Sequence, residues 1–99
     1  MVIMEFPTPA ACRLSVDFPR QDEAVTSELY TIKIAAPPDC KAVEISIDQG
    51  AWRPCRKGGE HWWYDWAGYE SGEHEIIARL ETPEGRRVAC EPHEFFVRL

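Results

Sequence analysis

Apolar and polar residues alternate with a period of two along most of this chain, which is the pattern of half-buried β-strands. The clearest case is segment 42–48, where Val43, Ile45 and Ile47 point to one side and polar residues to the other. The same alternation predicts further strands at 13–19, 28–35, 61–66, 73–81 and about 86–98. No window has helical periodicity, so the chain is predicted to be all-β.

The alternation also predicts which side chains face the core. The inward set consists of every second residue of each strand: Leu14, Val16, Phe18, Tyr30, Ile32, Ile34, Trp62, Tyr64, Trp66, His74, Ile76, Ala78 and Leu80. We expect Trp62 and Trp66 to fill a small core, and His74 to be a hydrogen-bonded structural residue.

In the last strand, the apolar residues expected to face the core switch from even to odd positions. Val88 and Cys90 occupy even positions, whereas Phe95 and Val97 occupy odd ones. A one-residue slip would turn every side chain over, so we predict a β-bulge near Pro92, where a strand also tolerates proline.

About seven antiparallel strands, separated by Gly- and Pro-containing turns, are typical of an immunoglobulin-like (Ig-like) β-sandwich. The disulfide of antibody domains would need cysteines at the centres of the second and sixth strands. This chain has Ile32 and Ala78 there, so packing alone is expected to stabilise the fold.

Length and charge restrict the function. Ninety-nine residues suit one domain, which we assign to 12–99 after an irregular N-terminal arm at 1–11. Eleven Lys and Arg against 17 Asp and Glu give a net charge of −6, which argues against binding nucleic acid or anionic membranes. No leader or membrane-spanning segment is visible, so a cytoplasmic protein is expected.

The four cysteines show no C-x-x-C pair. Cys12, Cys90 and His93 are the weak candidates for a metal site, and reduced, mostly buried thiols are the favoured interpretation. No catalytic motif or cofactor-binding motif is present either, so we expect neither an enzyme nor a bound cofactor.

Three segments carry a family resemblance: 43–54 with its turn and Trp52, the aromatic strand 62–66, and 72–79 of the form G-x-H-x-x-x-A-R. Together they resemble the C-terminal dimerisation domain of the sulfite-oxidase-like molybdenum oxidoreductases. The resemblance implies an Ig-like fold of the E-set type and self-association. The catalytic molybdopterin domain of that family is absent, so no cofactor or catalytic residue is implied. The order of Trp and Gly residues is also similar to glycogen- and starch-binding E-set domains.

The leading hypothesis is a non-catalytic protein–protein interaction or assembly module that forms a homodimer. Its interface candidates are the outward residues Ile77, Arg79, Phe96 and Arg98, together with Trp63.

The alternative is a carbohydrate (glucan)-binding module that uses the surface aromatics Trp63, Tyr69 and Trp52, since sugar rings stack on flat aromatic faces. A spacer domain without its own ligand also stays open.

Overall fold

A computed structural model describes residues 14–99, which form an Ig-like β-sandwich of ten strands. The predicted arm at 1–11 and Cys12 lie outside the described residues. The strands are β1 Ser15–Phe18, β2 Ala24–Val25, β3 Leu29–Ala35, β4 Ala42–Ile47, β5 Arg53–Pro54, β6 Arg56–Gly58, β7 His61–Ala67, β8 Gly72–Glu81, β9 Arg87–Ala89 and β10 His93–Val97.

Two sheets make up the sandwich. The four-stranded sheet has the order β1-β3-β7-β6, and the six-stranded sheet has the order β2-β10-β8-β4-β5, with β9 beside β8. All pairings are antiparallel except that of β2 with β10, which is parallel. The long strand β8 therefore lies at the centre of its sheet, between β4 on one side and β9 and β10 on the other.

The core lies between the inner faces of the two sheets, as the alternation predicted. Ile32 and Ile34 of the four-stranded sheet and Ile45, Ile76 and Phe95 of the six-stranded sheet are almost completely buried. Trp62 is buried among them, and Tyr64 and Trp66 pack against this cluster from its edge. A small domain has little core volume, so these large side chains supply much of its apolar burial.

The break in the last strand is confirmed. Arg79 pairs with Ala89 in β9, whereas Ile76 pairs with His93 in β10, so the register with β8 shifts by one residue between them. The shift brings Val88 and Cys90 of one half and Phe95 and Val97 of the other to the same inner face.

The inward prediction is wrong for Phe18, whose side chain is 36% exposed. The register between β1 and β3 is irregular between Val16 and Phe18, so Phe18 lies opposite Lys33 instead of continuing the inward row. Its ring faces cations, with Lys33 Nζ 5.8 Å and the Arg20 guanidinium carbon 5.3 Å from its centroid.

Candidate functional site

Strand β8 carries two of the interface candidates on its outer face and buries the residues between them, because successive side chains of a strand face opposite sides. Ile76 and Ala78 are completely buried, whereas Ile77 and Arg79 face outward and are half-buried. Ile77 lies opposite Ser46 of β4, whose hydroxyl donates to the Gly50 carbonyl at 2.9 Å. The outer face of the six-stranded sheet thus has an apolar side chain at its centre.

Arg79 is held on this face by two neighbours. Its Nε donates to Glu44 Oε1 at 2.8 Å, and its guanidinium carbon lies 4.0 Å from the centre of the Trp52 ring. Pro54 pairs with Glu44, so Trp52, two residues earlier, reaches the same outer face. A cation–π contact at an exposed site contributes about 0.5–1 kcal/mol, and its main effect here is to fix the guanidinium.

Phe96 and Arg98 lie on the same outer face as Ile77 and Arg79, but they are too far away to contact them. Phe96 is half-buried and pairs with Glu73 of β8, four residues before Ile77. Because a strand rises about 3.4 Å per residue, Phe96 and Ile77 are roughly 14 Å apart along the sheet. Arg98 is exposed beyond the end of β10. Ile77 with Arg79, and Phe96 with Arg98, are therefore two ends of one surface.

Trp63 faces the opposite side of the molecule, on the outer face of the four-stranded sheet. Its Nε1 donates to the Gly58 carbonyl at 3.0 Å, and Lys33 Nζ lies 5.8 Å from its ring. A Cβ on Gly58 would come within 2.9 Å of that Nε1, so glycine permits the close approach. Trp63 cannot share an interface centre with Ile77, because the sandwich separates them.

The three aromatics of the carbohydrate alternative do not form one surface. Trp63 and Trp52 lie on the outer faces of different sheets, and Tyr69 lies in the loop before β8. Tyr69 stacks on Trp66 with ring centres 3.8 Å apart, and its hydroxyl donates to the Ser27 carbonyl. The sequence could not show this separation, because it depends on which strands pair.

His74 joins the β4–β5 turn to the loop before β8, which confirms its predicted hydrogen-bonded role. Its Nδ1 lies 2.7 Å from Asp48 Oδ2 and its Nε2 lies 2.7 Å from the Glu70 carbonyl. The carboxylate and the carbonyl are both acceptors, so this geometry favours the imidazolium form, in which both ring nitrogens donate. Burial lowers the pKa of His74, but the two hydrogen bonds and the negative charges of Asp48 and Glu70 raise it, and the net shift is upward.

A cleft of about 480 Å³ opens beside His74, between the β4–β5 turn and the end of β7. Its lining comes from three segments that are separate in sequence, 47–53, 64–70 and His74, so spacing along the chain did not predict it. Its lining includes Ile47, Asp48, Arg53, Tyr64, Trp66 and Glu70.

Cys12, one of the three weak metal candidates, lies outside the described residues. Among residues 14–99, no group of three His, Cys, Asp or Glu side chains could hold an ion. Cys90 Sγ accepts from the Ala78 amide at 3.4 Å, and His93 Nε2 bonds to the Pro19 carbonyl. Burial, aided by the Glu44 charge, raises the pKa of Cys55 to about 12. Burial also raises the pKa of Cys40.

The same described range contains no helix with the length and apolar character needed to cross a membrane.

The chain matches no protein-family model and no curated protein sequence. Its fold, however, is similar to solved structures. An engineered protein is 19% identical with a TM-score of 0.74, over 93% of this chain and 21% of that protein. The fibronectin(III)-like modules of Clostridium thermocellum CbhA are 15% identical with a TM-score of 0.71, over 85% of this chain and 93% of the module.

CopC from Methylosinus trichosporium is 17% identical with a TM-score of 0.62, over 80% of this chain and 85% of CopC. The chain spans about a fifth of the engineered protein's length. These similarities show the Ig-like β-sandwich fold, which fibronectin type III domains share. They establish no link to the sulfite-oxidase-like dimerisation domain.

Proposed function

We propose that this chain is a non-catalytic interaction module that pairs with a second copy of itself through the outer face of the six-stranded sheet. The observation that supports it is the arrangement of Ile77 beside Arg79, with Trp52 and Glu44 fixing the guanidinium. Trp and Arg are the residue types that most often dominate binding energy at interfaces, and fixing them in advance lowers the entropy lost on binding.

Charge complementarity favours a second copy as the partner. Along the outer row of β8, Glu75 precedes Ile77 and Arg79 follows it. A two-fold axis near Ile77 would place each Glu75 opposite the partner's Arg79 and the two Ile77 side chains against each other. Such an interface is self-complementary, as a two-fold dimer requires.

The net charge of −6 on each copy opposes this pairing. Salt screens that long-range repulsion more strongly than the short contacts in the interface, because the Debye length is about 8 Å at physiological ionic strength. We therefore expect the dimer to be measurable in physiological salt and weaker at low salt.

The test is the solution mass by size-exclusion chromatography with light scattering, in reductant and physiological salt at micromolar concentration. The wild type should have twice the 11.4 kDa chain mass. Ile77→Asp should have the chain mass, because a charge would be buried at the centre of the interface. Leu29→Asp is the matched control, since Leu29 is a 72% exposed aliphatic residue of the other sheet, and it should stay dimeric.

A monomeric wild type contradicts the proposal, and so does an Ile77→Asp variant that keeps the wild-type mass. Thermal unfolding checks that each variant is folded. If Ile77→Asp does not fold, Glu75→Arg replaces it, because this variant puts like charges opposite each other and should also return the chain to a monomer.

A further inference from the structure

The cleft beside His74 lies where the edge strand of each sheet, β6 in one and β5 in the other, no longer pairs with its neighbour. Strand β6 pairs with β7 only as far as Trp63, so Tyr64 and Trp66 have no neighbour on that side. Strand β5 likewise pairs with β4 only at Glu44 and Ile45 and leaves Ile47 at an open edge. These inward side chains of the core layer are therefore only half-buried, and the cleft reaches them between the sheets.

The floor of the cleft is apolar and its rim is polar. Ile47, Tyr64 and Trp66 form the floor, and Asp48, Arg53 and Glu70 belong to the rim. A volume of about 480 Å³ is within the roughly 300–1,000 Å³ common for small-ligand sites, which usually combine an apolar lining with a few polar groups.

Two polar groups of the lining are available to a ligand. Neither the Arg53 guanidinium nor the Tyr64 hydroxyl makes a hydrogen bond or ion pair with any other residue in the described part of the chain. Arg53 offers only donors, whereas the Tyr64 hydroxyl can both donate and accept. Glu70 also lines the cleft, and its carboxylate can act as an acceptor.

The part of the rim around Asp48 and the Glu70 backbone is held in place before any ligand arrives. The His74 imidazolium ties Asp48 to the Glu70 backbone, and Asp48 Oδ1 additionally accepts from the Glu75 amide at 2.9 Å. The Trp66 ring is fixed by its stacking on Tyr69. Because these groups are ordered in the free protein, binding costs less side-chain entropy.

The charges around the cleft decide the ligand class. The two carboxylates of Asp48 and Glu70 at least balance Arg53 and a protonated His74, and the whole chain is strongly acidic, so a phosphate or other anion gains little here. We infer that the cleft binds a neutral polyhydroxylated ring, as in a short oligosaccharide. The C–H faces of such a ring suit the aromatic floor, and its hydroxyls can accept from Arg53 and donate to Glu70.

This site is separate from the proposed dimer face, so each can fail without the other. The test is NMR of the ¹⁵N-labelled wild-type chain titrated with cellotetraose, mannotetraose, maltotetraose and inorganic phosphate. At least one oligosaccharide should shift amide signals of 47–53 and 64–70 selectively. Arg53→Ala should weaken that binding at least ten-fold, while Arg86→Ala, which removes an exposed arginine in the β8–β9 turn, should leave it unchanged.

The inference is overturned if none of the three oligosaccharides shifts these amides. Phosphate binding without oligosaccharide binding also overturns it, as does undiminished oligosaccharide binding by Arg53→Ala. Arg53 is exposed, so its substitution is expected to leave the fold intact. Glu70→Gln serves as a second variant, because the amide keeps an acceptor but loses the charge, and binding should weaken less than in Arg53→Ala.

Discussion

Replacing His74 by Phe should destabilise the domain by an amount that depends on pH. The phenyl ring keeps the edge contact with Trp66 and the stacking on Phe95, whose ring centres lie 5.1 and 5.8 Å from that of His74. It removes both hydrogen bonds, to Asp48 and to the Glu70 carbonyl. The variant thus separates the polar contribution of His74 from its packing.

The expected loss in the free energy of unfolding follows from those two hydrogen bonds. A hydrogen bond to a charged group contributes about 1.5–3 kcal/mol, and the lower end applies to Asp48, whose side chain is 47% exposed. With the imidazolium intact we expect a loss of about 2–3 kcal/mol, or about 8–24 °C in Tm for a domain of this size. The neutral ring can donate only one hydrogen, so the loss should fall to about 1 kcal/mol at high pH.

The sign of the pH dependence follows from the raised pKa of His74. Since folding favours the protonated ring, its contribution is complete below the unfolded-state pKa of about 6.5. That contribution is lost as the pH rises through the higher pKa of the folded state. The free-energy difference between wild type and His74→Phe should therefore shrink as the pH rises above about 6.5.

Urea unfolding followed by tryptophan emission at pH 5.5 and pH 9 measures both differences. His61→Phe is the control, because His61 is half-exposed and its Nε2 lies 3.5 Å from Asp17, so its loss should stay below about 1 kcal/mol. Equal losses for His74→Phe at the two pH values would refute the imidazolium assignment.

Three further predictions concern a turn, the core and a thiol. Gln49 has φ of 63°, so Gln49→Gly should raise the free energy of unfolding by about 0.5–1 kcal/mol in the same urea assay, and a loss would contradict the turn geometry. Ile45 is completely buried, so Ile45→Ala should cost about 2–5 kcal/mol by urea unfolding, and a loss under about 1 kcal/mol would contradict its place in the core. The pKa of Cys55 is raised to about 12, so at pH 8 it should react with a thiol reagent far more slowly in the folded chain than in urea; equal rates by peptide mapping would contradict its burial.

The inward faces of the main strands were predictable from the sequence, because burial imposes a period of two on each strand. Ile32, Ile45 and Ile76 follow that period, and all are fully buried. The bulge was predictable because Val88 and Phe95 both need the core but have opposite parity, which only a register shift reconciles.

Features that depend on backbone irregularity or on strand pairing were not predictable. Phe18 follows the apolar period of its strand, yet the irregular register after Val16 turns it outward. The two-residue strand Ala24–Val25 is too short to show any period.

The residues that meet at the candidate sites were also not predictable, because their proximity depends on strand pairing. Trp52 contacts Arg79 only because β5 pairs with β4 in one register, and Arg53 and Tyr64 line one cleft only because the two sheets bring their strands together there. Neither neighbourhood is encoded in sequence spacing.

The most direct test of self-pairing is an isotope-filtered NOE measurement on an equal mixture of ¹³C-labelled and unlabelled wild-type chain. We predict contacts from the labelled Ile77 methyls to Ile77 and Trp52 of the unlabelled copy. Intermolecular contacts confined to the opposite sheet, at Leu29 or Trp63, or no intermolecular contacts at all, would contradict the account.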